Sequence, residues 1–587
     1  MNDLVRLSIL LTFTAVFFSC SEPTARDQSA YVKNLPAWAG RSELKFEGQG
    51  LLVMGGRNVS ALVCGGENQE TEAFFFNGRQ KSALEKLVRR REGASLEVCV
   101  SNKDGTDDFS GDVKFGFIYD CGGVSEPSVS FSFRSLGKKT VGISMCLPED
   151  ISDMIGFYVC SDTAFSVEKV SSAHARIGMD VSSEIPLYAF GRDGGTVDGT
   201  NLSVDFSDGK NLFDRSNGRE SVLPKIEMTL AGFSELPADG GMDRLSFSYG
   251  GSSFVLRRSP AANAVTLQSS SVRDAFSVME LKENPSLLKS VFMTSNGLEL
   301  CPSDGTVDEP FVTDVGLILE WPRSKWRTAE YELFRWELFP DVLIFDFKDY
   351  DVQNLFMSRI AYFTEKDGYR GTFIDDESVK TLHGYNAHDY KADDLAEFFT
   401  VAAGKKLSLN EKERLLRNIL IKNGIIVDAG DGKFLAGKGA VISLSRESPM
   451  DLRTQLLAHE TWHGIYFMDA GFREFSDSVY ASTKKKARDF LKLYFKSYDS
   501  LGYDTGDEYL MRNEFMAYML QQSPKMTVRN FQKISTWSTL ALRSPELSGY
   551  MQKTECSDFL DASERLCGYV SERWGLWGGR THLLSKE

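Results

Sequence analysis

The chain has few histidines, fewer basic than acidic residues, and almost no long apolar runs. It carries 67 Lys and Arg against 82 Asp and Glu, a formal charge of −15 over 587 residues. Because no basic surface offsets this excess, the composition argues against nucleic-acid binding. After residue 20, no segment is apolar for long enough to cross a bilayer. The length predicts about three globular domains.

Cysteine is also scarce, with nine residues in the chain. Cys20 follows an apolar run at residues 7–19, which is too short to span a membrane comfortably, and polar residues come after it. This arrangement resembles a bacterial lipoprotein signal. The resemblance implies a lipid on Cys20 and an extracytoplasmic chain anchored to a bacterial membrane. A plain secretory peptide and an uncleaved anchor are the alternatives.

The eight remaining cysteines are even in number, which in an exported chain favours disulfides. Cys556 and Cys567 are close enough in sequence to close a short loop near the C-terminus. The connectivity of the others stays open.

Patterns along the chain predict several domains. Residues 21–44 form a linker, and residues 45–175 and 176–320 are rich in short apolar runs separated by Gly, Ser and Asp, which predicts two β-sandwich-like modules. Near residue 321 the composition shifts towards Trp, Leu, Phe and helical patterns. Residues 321–587 are therefore predicted to form an α+β, mostly helical domain that carries the chemistry.

The strongest chemical signal is HETWH at residues 459–463, which fits the pattern H-E-x-x-H. On a helix, residues i and i+4 lie on the same face, so His459 and His463 can offer two ring nitrogens to one ion. Zn²⁺ is the expected ion, because it accepts neutral imidazoles. Glu460 lies beside that pair and can reach a water molecule on the ion. We therefore expect Glu460 to be the catalytic base.

Flanking residues predict the limits of this helix. Ser448 is suited to cap its first turn, Pro449 to occupy the first helical position, and Gly471 to end it. Leu452 and Leu456 continue the histidine face at helical spacing, so we expect both to point into the protein.

A catalytic zinc uses three protein ligands and a water molecule, so a third ligand is needed. The best candidate is Glu514, on a helix predicted at about residues 507–522. It shares a face with apolar residues, and a buried carboxylate is costly unless it is paired or bound to a metal. Two rivals are Asp469, six residues after His463, and Glu508, about 120° from Glu514 around the same helix.

These motifs resemble the gluzincin superfamily of metallopeptidases, the thermolysin-like group. Its members carry H-E-x-x-H on one helix and a glutamate ligand on a later one, often as N-E-x-x-A, and NEFMA at residues 513–517 matches that form. The resemblance covers about residues 438–522. It implies one Zn²⁺ held by His459, His463 and Glu514, peptide bonds as the substrate, and a strand at 440–445 that pairs with the substrate backbone.

Three further residues are candidates for supporting roles. Tyr518, one turn after Glu514, is placed to orient a metal ligand. His383 and His388 lie in a polar segment at residues 380–400. We expect this segment to form a wall of the cleft, where a His or Tyr donates a hydrogen bond to the developing oxyanion. The alternative is a capped loop whose polar groups are satisfied.

The sequence therefore predicts a lipid-anchored, extracytoplasmic zinc metallopeptidase that acts on a peptide or protein. One alternative is a surface binding or adhesin lipoprotein whose zinc site is structural or inactive. A second is a zinc amidohydrolase such as a deformylase. That class needs a cysteine ligand near the motif, and the nearest preceding cysteine, Cys301, is far away.

Overall fold

The structure is a computed structural model, and it describes residues 40–46, 49–55, 70–76, 78–89, 93–103, 108–119, 129–134, 137–148, 150–190, 195–198, 203–213, 224–232, 243–298, 302, 305–379, 385–498 and 501–587. Cys20 and His383 lie outside these residues. Contacts divide the chain into unit 1, Met1–Arg215 with Ser290–Gly297, and unit 2, Ser216–Lys289 with Leu298–Glu587. The domain limits expected near residues 175 and 320 stay predictions.

Unit 1 consists mainly of strands, as its short alternating apolar runs predict. Its elements are β1 (Gly40–Phe46), β2 (Gln49–Gly55), β3 (Glu70–Phe75), α1 (Gly78–Val88), β4 (Ala94–Asn102), β5 (Gly111–Tyr119), β6 (Val129–Arg134), β7 (Thr140–Cys146), β8 (Met154–Ser161), β9 (Phe165–His174), β10 (Arg176–Asp180), β11 (Leu187–Phe190), β12 (Gly195–Asp198), β13 (Ser203–Asp205) and α2 (Gly209–Phe213). Strands β1 to β12 are hydrogen-bonded in the order β12-β6-β5-β8-β3-β2-β1-β9-β4-β7-β11-β10. The β-rich prediction is confirmed here, whereas the β-sandwich remains a prediction.

Unit 2 mixes strands and helices. Its strands are β14 (Pro224–Leu230), β15 (Arg244–Tyr249), β16 (Ser252–Arg257), β17 (Ala264–Gln268), β18 (Val278–Glu283), β20 (Phe311–Thr313), β21 (Tyr331–Trp336), β22 (Val342–Phe347), β23 (His388–Lys391), β24 (Ile426–Asp428), β25 (Phe434–Ala436), β26 (Ala440–Ser445) and β27 (Leu584–Lys586). The remaining strand, β19 (Leu288–Ser295), belongs to unit 1 from Ser290 onwards and pairs there with β10.

Helices dominate the C-terminal half of unit 2. They are α3 (Tyr350–Thr364), α4 (Asp376–Val379), α5 (Ala392–Gly404), α6 (Glu411–Lys422), α7 (Met450–Met468), α8 (Ala470–Ser482), α9 (Lys485–Ser497), α10 (Glu508–Leu520), α11 (Pro524–Ser535), α12 (Ser538–Arg543), α13 (Pro545–Lys553) and α14 (Ser557–Trp574). The chain is thus mixed α and β with a helical C-terminal part. Among the described residues, no helix is long and apolar enough to cross a membrane.

A five-stranded sheet in unit 2 supports the HETWH motif. Its order is β20-β21-β22-β26-β23, with β26 parallel to β22 and antiparallel to β23. Every residue of β26 is buried. The expectation that residues 440–445 pair with substrate is wrong, because β26 is already paired on both sides. In the described part of the chain, β23 is the edge strand on this side of the sheet.

The disulfide predicted between Cys556 and Cys567 is wrong, since both are free thiols. Cys556 precedes the first residue of α14, and Cys567 lies within that helix. At about 1.5 Å of rise per residue, their Cα atoms lie roughly 16 Å apart, far beyond the span of a disulfide.

Candidate metal centre

The HETWH motif lies on helix α7, as predicted, but the residues expected to limit the helix do not do so. No side chain caps its start. The hydroxyl of Ser448 instead shares a hydrogen bond with the hydroxyl of Tyr350, at 2.6 Å. At the other end, Asp469 accepts a backbone N–H at 2.7 Å and caps the following helix, α8. The chain therefore leaves α7 before it reaches Gly471.

A buried ion-pair network fixes α7 against the sheet. Arg453 donates to the Oδ1 of Asp346 on β22 at 2.9 Å, and Arg446 donates to Oδ2 of the same carboxylate at 2.6 Å. Asp346 is fully buried and Arg453 is 2% exposed. The prediction that Leu452 and Leu456 point inward is wrong, because both are only half-buried. The buried face at this end of α7 begins at Arg453.

The second predicted helix is confirmed as α10. Asp507 caps it, and its side chain accepts the backbone N–H groups of Tyr509 and Leu510 at 2.9 and 3.3 Å. Glu514 lies in the middle of the helix and is only 2% exposed. Its carboxylate is therefore directed into the protein towards α7.

Three side chains from these two helices converge on one point. The Nε2 atoms of His459 and His463 lie 3.0 Å apart. The Glu514 carboxylate oxygens lie 3.5 Å from Nε2 of His459 and 3.7 Å from Nε2 of His463. Ligands held tetrahedrally by bonds of about 2.0–2.1 Å lie roughly 3.3 Å from one another. The three groups thus have the separations that a small tetrahedral ion requires.

The two imidazoles are held so that their Nε2 atoms face this point. Nδ1 of His459 lies 2.9 Å from Oε1 of Gln521. Since that oxygen only accepts hydrogen bonds, Nδ1 carries the proton and Nε2 keeps its lone pair. Burial lowers the pKa of His463 to about 4, so this ring is neutral at physiological pH. Both rings can therefore act as metal ligands.

Two buried carboxylate oxygens at this point have no hydrogen-bond partner among the described residues. They are Oε2 of Glu514 and Oε2 of Glu460. A buried polar atom without a partner costs about 1–3 kcal/mol. Two such carboxylate oxygens beside the converging Nε2 atoms form a donor set that fits a metal ion.

A second group of possible ligands overlaps the first. Asp389, Glu460 and His463 also bring ligand atoms within 4.8 Å of one another. Oδ2 of Asp389 lies 3.7 Å from Nδ1 of His463, on the side of the ring away from Glu514. Asp389 is on the edge strand β23, so the sheet brings it to α7.

The site is rich in carboxylates whose charges repel one another. Burial, and then the charges of neighbouring carboxylates, raise the pKa of Glu460 well above its ordinary value. The same causes raise the pKa of Glu365, and burial raises that of Asp389 to about 6. A group with a raised pKa holds a proton more readily, which suits an acid or base that works near neutral pH.

The remaining candidate residues, Tyr518, His388, Asp469 and Glu508, are not at the point where the three ligand atoms meet. The ring of Tyr518 meets that of His459 edge-on, with centroids 5.1 Å apart. His388 is buried on β23, with Nδ1 3.2 Å from Nε2 of Gln353. The rival ligands are engaged elsewhere, since Asp469 caps α8 and Glu508 accepts a hydrogen bond from a lysine at 2.6 Å.

A cavity of about 210 Å³ opens at the HETWH motif. Its walls include Glu460 and His459 together with the predicted residues His388 and Tyr518. Tyr385 and Asp389 also line it, which agrees with the expectation that residues 380–400 form a wall of the cleft. Three further lining residues were not assigned to the site from the sequence: Glu365, Tyr503 and Gln521.

Comparison with protein-family models, with curated proteins and with solved structures finds no match to this chain.

Removing the amide of Gln521 is expected to weaken metal binding. Gln521→Ala leaves Nδ1 of His459 without its acceptor, and loss of such a supporting hydrogen bond lowers metal affinity by about 10–100-fold. Competition with a chromophoric chelator measures the change. Gln522→Ala is the matched control, because Gln522 bonds to Gln455 and not to a histidine. Equal losses of metal affinity in both variants would contradict the role of Gln521 in supporting His459.

Proposed function

We propose that this chain is a zinc-dependent metallopeptidase, with His459, His463 and Glu514 as metal ligands and Glu460 as the general base. The observation that carries the proposal is the convergence of the three ligand atoms at 3.0–3.7 Å from two separate helices. Two imidazoles and one carboxylate are a known zinc ligand set for catalytic sites that keep a fourth position for water. The unpartnered atoms around the same point support it.

The chemistry follows from the side chains. When bound, zinc supplies a Lewis acid that makes water a stronger nucleophile and polarises a carbonyl group. Glu460 takes the proton from the attacking water at its unpartnered Oε2 and gives it to the amine nitrogen as the peptide bond breaks. Burial and the neighbouring carboxylates raise the pKa of Glu460, which makes it a stronger base towards the attacking water.

His388 and β23 are suited to hold the substrate. Nδ1 of His388 accepts a hydrogen bond from the Gln353 amide or the Ser443 hydroxyl, so the ring proton lies on Nε2. Nε2 has no partner among the described residues. We assign it to the carbonyl oxygen of the substrate, whose backbone lies along the edge strand β23.

The direct test is hydrolysis of a mixed peptide library by the purified chain, with zinc content measured on the same sample. One zinc per chain and cleavage that stops when a chelator removes it are expected. If the chain binds zinc but shows no hydrolysis that is lost in Glu460→Gln, the proposed peptidase activity is wrong. That result would favour the binding or adhesin lipoprotein with a structural zinc.

The proposal includes a lipid anchor at Cys20. Expressed in a bacterium with its N-terminal segment, the wild type should fractionate with membranes and incorporate labelled palmitate. Cys20→Ser should move most of the chain to the soluble fraction and abolish the label. Cys99→Ser is the control, because Cys99 is a free thiol within the β-rich region. A Cys20→Ser chain that stays with the membranes would rule out this anchor.

A further inference from the structure

Four buried acids elsewhere in unit 2 have partners within the chain. Glu332 is paired with Arg327 at 2.6 Å, Glu413 with Arg359, and Asp346 with Arg453 at 2.9 Å, and all six side chains are at most 3% exposed. The fourth acid, Asp314, accepts the backbone N–H groups of Gly316 and Leu583, each at 2.8 Å. A buried carboxylate is costly without such partners.

The cavity at the HETWH motif breaks this pattern. Glu365, Asp389 and Glu460 all line it, and none forms an ion pair with lysine or arginine among the described residues. The charge of Lys366, the next residue, partly offsets that of Glu365. Its Nζ donates to the carbonyl of Leu501 at 3.2 Å and lies 3.5 Å from the centre of the Tyr385 ring. One zinc ion would balance two negative charges, which leaves the cavity acidic.

Glu365 occupies its place because α3 ends there. The helix stops at Thr364, and Glu365 is the residue that caps its C-terminus. An acid at a helix C-terminus is unfavourable, because the helix dipole is negative at that end. Burial and the neighbouring carboxylates raise the pKa of Glu365, and a cationic ligand in the cavity would stabilise its charged form.

The unpartnered Nε2 of His388 requires a hydrogen-bond acceptor on the ligand, which narrows the choice of cation. His388 is 3% exposed and lines the same cavity. Since Nε2 carries a proton, it needs a hydrogen-bond acceptor and cannot ligate a second metal ion. A peptide that carries an ammonium or guanidinium group supplies both a cation and a carbonyl oxygen. Tyr503 and Tyr518 add aromatic rings, which attract organic cations.

We propose that this cavity binds a cationic group of the peptide substrate, with Glu365 as its principal partner. The inference rests on the proposed peptidase function and names its substrate class. Because His459 and Glu460 line the same cavity, the cation belongs to a residue close to the scissile bond. The shared chemistry is a substituted ammonium or guanidinium, from a free peptide amino terminus or from a lysine or arginine side chain.

Two measurements on the zinc-loaded full chain test this. The first compares kcat/KM for paired peptides: free against acetylated amino terminus, and lysine against norleucine. Peptides with the cation should be cleaved at least about tenfold faster, and whichever pair shows the difference identifies the source of the cation. Glu365→Gln should remove most of that preference, measured within the variant as the ratio of kcat/KM for the charged peptide to kcat/KM for the neutral one. Glu397→Gln, on an exposed face of α5, is the matched control.

The second measurement needs no hydrolysis. Calorimetry should show that n-butylammonium binds the wild type about tenfold or more tightly than n-butanol, and that Glu365→Gln abolishes the difference. Equal binding of the two probes would overturn the cation pocket. So would a second metal ion that binds the wild type and is lost in Glu365→Gln. If butylammonium binds but no peptide is hydrolysed, the peptidase function is wrong. If peptides are cleaved without a preference for the cation, only the cation pocket is wrong.

Discussion

Glu460→Gln should lower kcat for peptide hydrolysis by about 10²–10⁴-fold, the usual contribution of a general base. The amide has nearly the same shape as the carboxylate but cannot take a proton from water. Glu460 is 5% exposed and is not one of the three converging ligands. We therefore expect the variant to bind zinc normally and to lose most of its hydrolytic activity.

Zinc content, kcat and KM must be measured on the same preparation. KM should change little, because the substrate contacts assigned to His388 and β23 stay in place. Glu474→Gln, on an exposed position of α8, controls for the loss of one negative charge. If Glu460→Gln retained more than about a tenth of wild-type kcat, another group would be the base. Asp389, in the overlapping ligand group, would be the first alternative.

The sequence was sufficient to predict which two helices form the centre. The spacing of His459 and His463 predicts a shared face, and the burial predicted for Glu514 follows from the apolar residues around it on α10. Both predictions depend on local periodicity, which a single sequence carries. Glu514 lies within 4 Å of both rings because of the tertiary fold. From the sequence, this proximity could be predicted only through the resemblance to gluzincins.

Residues contributed by other elements could not be found in this way. Asp389 lies at the centre because β23 is the edge strand next to β26, and Glu365 lies there because α3 ends at that point. Gln521 comes directly after α10, in a stretch with no motif. Asp389 falls within the segment at residues 380–400 that was expected to line the cleft, but no local pattern singles out any of the three residues, because long-range packing places them.

The limits of α7 were mispredicted for a related reason. Ser448 has the right chemistry for a cap, but Tyr350, nearly a hundred residues earlier, takes its hydroxyl. Asp469 was weighed as a metal ligand, but its oxygens serve α8 and Arg573. Short polar side chains near helix ends have several available partners, and tertiary contacts decide between them.

Glu514→Gln should reduce zinc affinity by more than about 100-fold, which exceeds the usual effect of losing a supporting hydrogen bond. A neutral amide is a much weaker zinc ligand than a carboxylate, and two neutral imidazoles alone leave the ion without any negatively charged ligand. Glu508→Gln is the matched control on the same helix, because Glu508 accepts a hydrogen bond from Lys492 near the surface. It should leave zinc binding unchanged.

Thermal unfolding with and without zinc separates a metal ligand from a structural acid. In the wild type, zinc binds the folded chain and raises its Tm, by an amount that grows with zinc concentration. Glu514→Gln should lose most of this increase. Without zinc, the variant should be at least as stable as the wild type, because it removes one of several buried carboxylates that repel one another. A variant that unfolds earlier than the wild type in the absence of zinc, yet still binds zinc tightly, would show that Glu514 holds α10 in place and that the third ligand lies elsewhere.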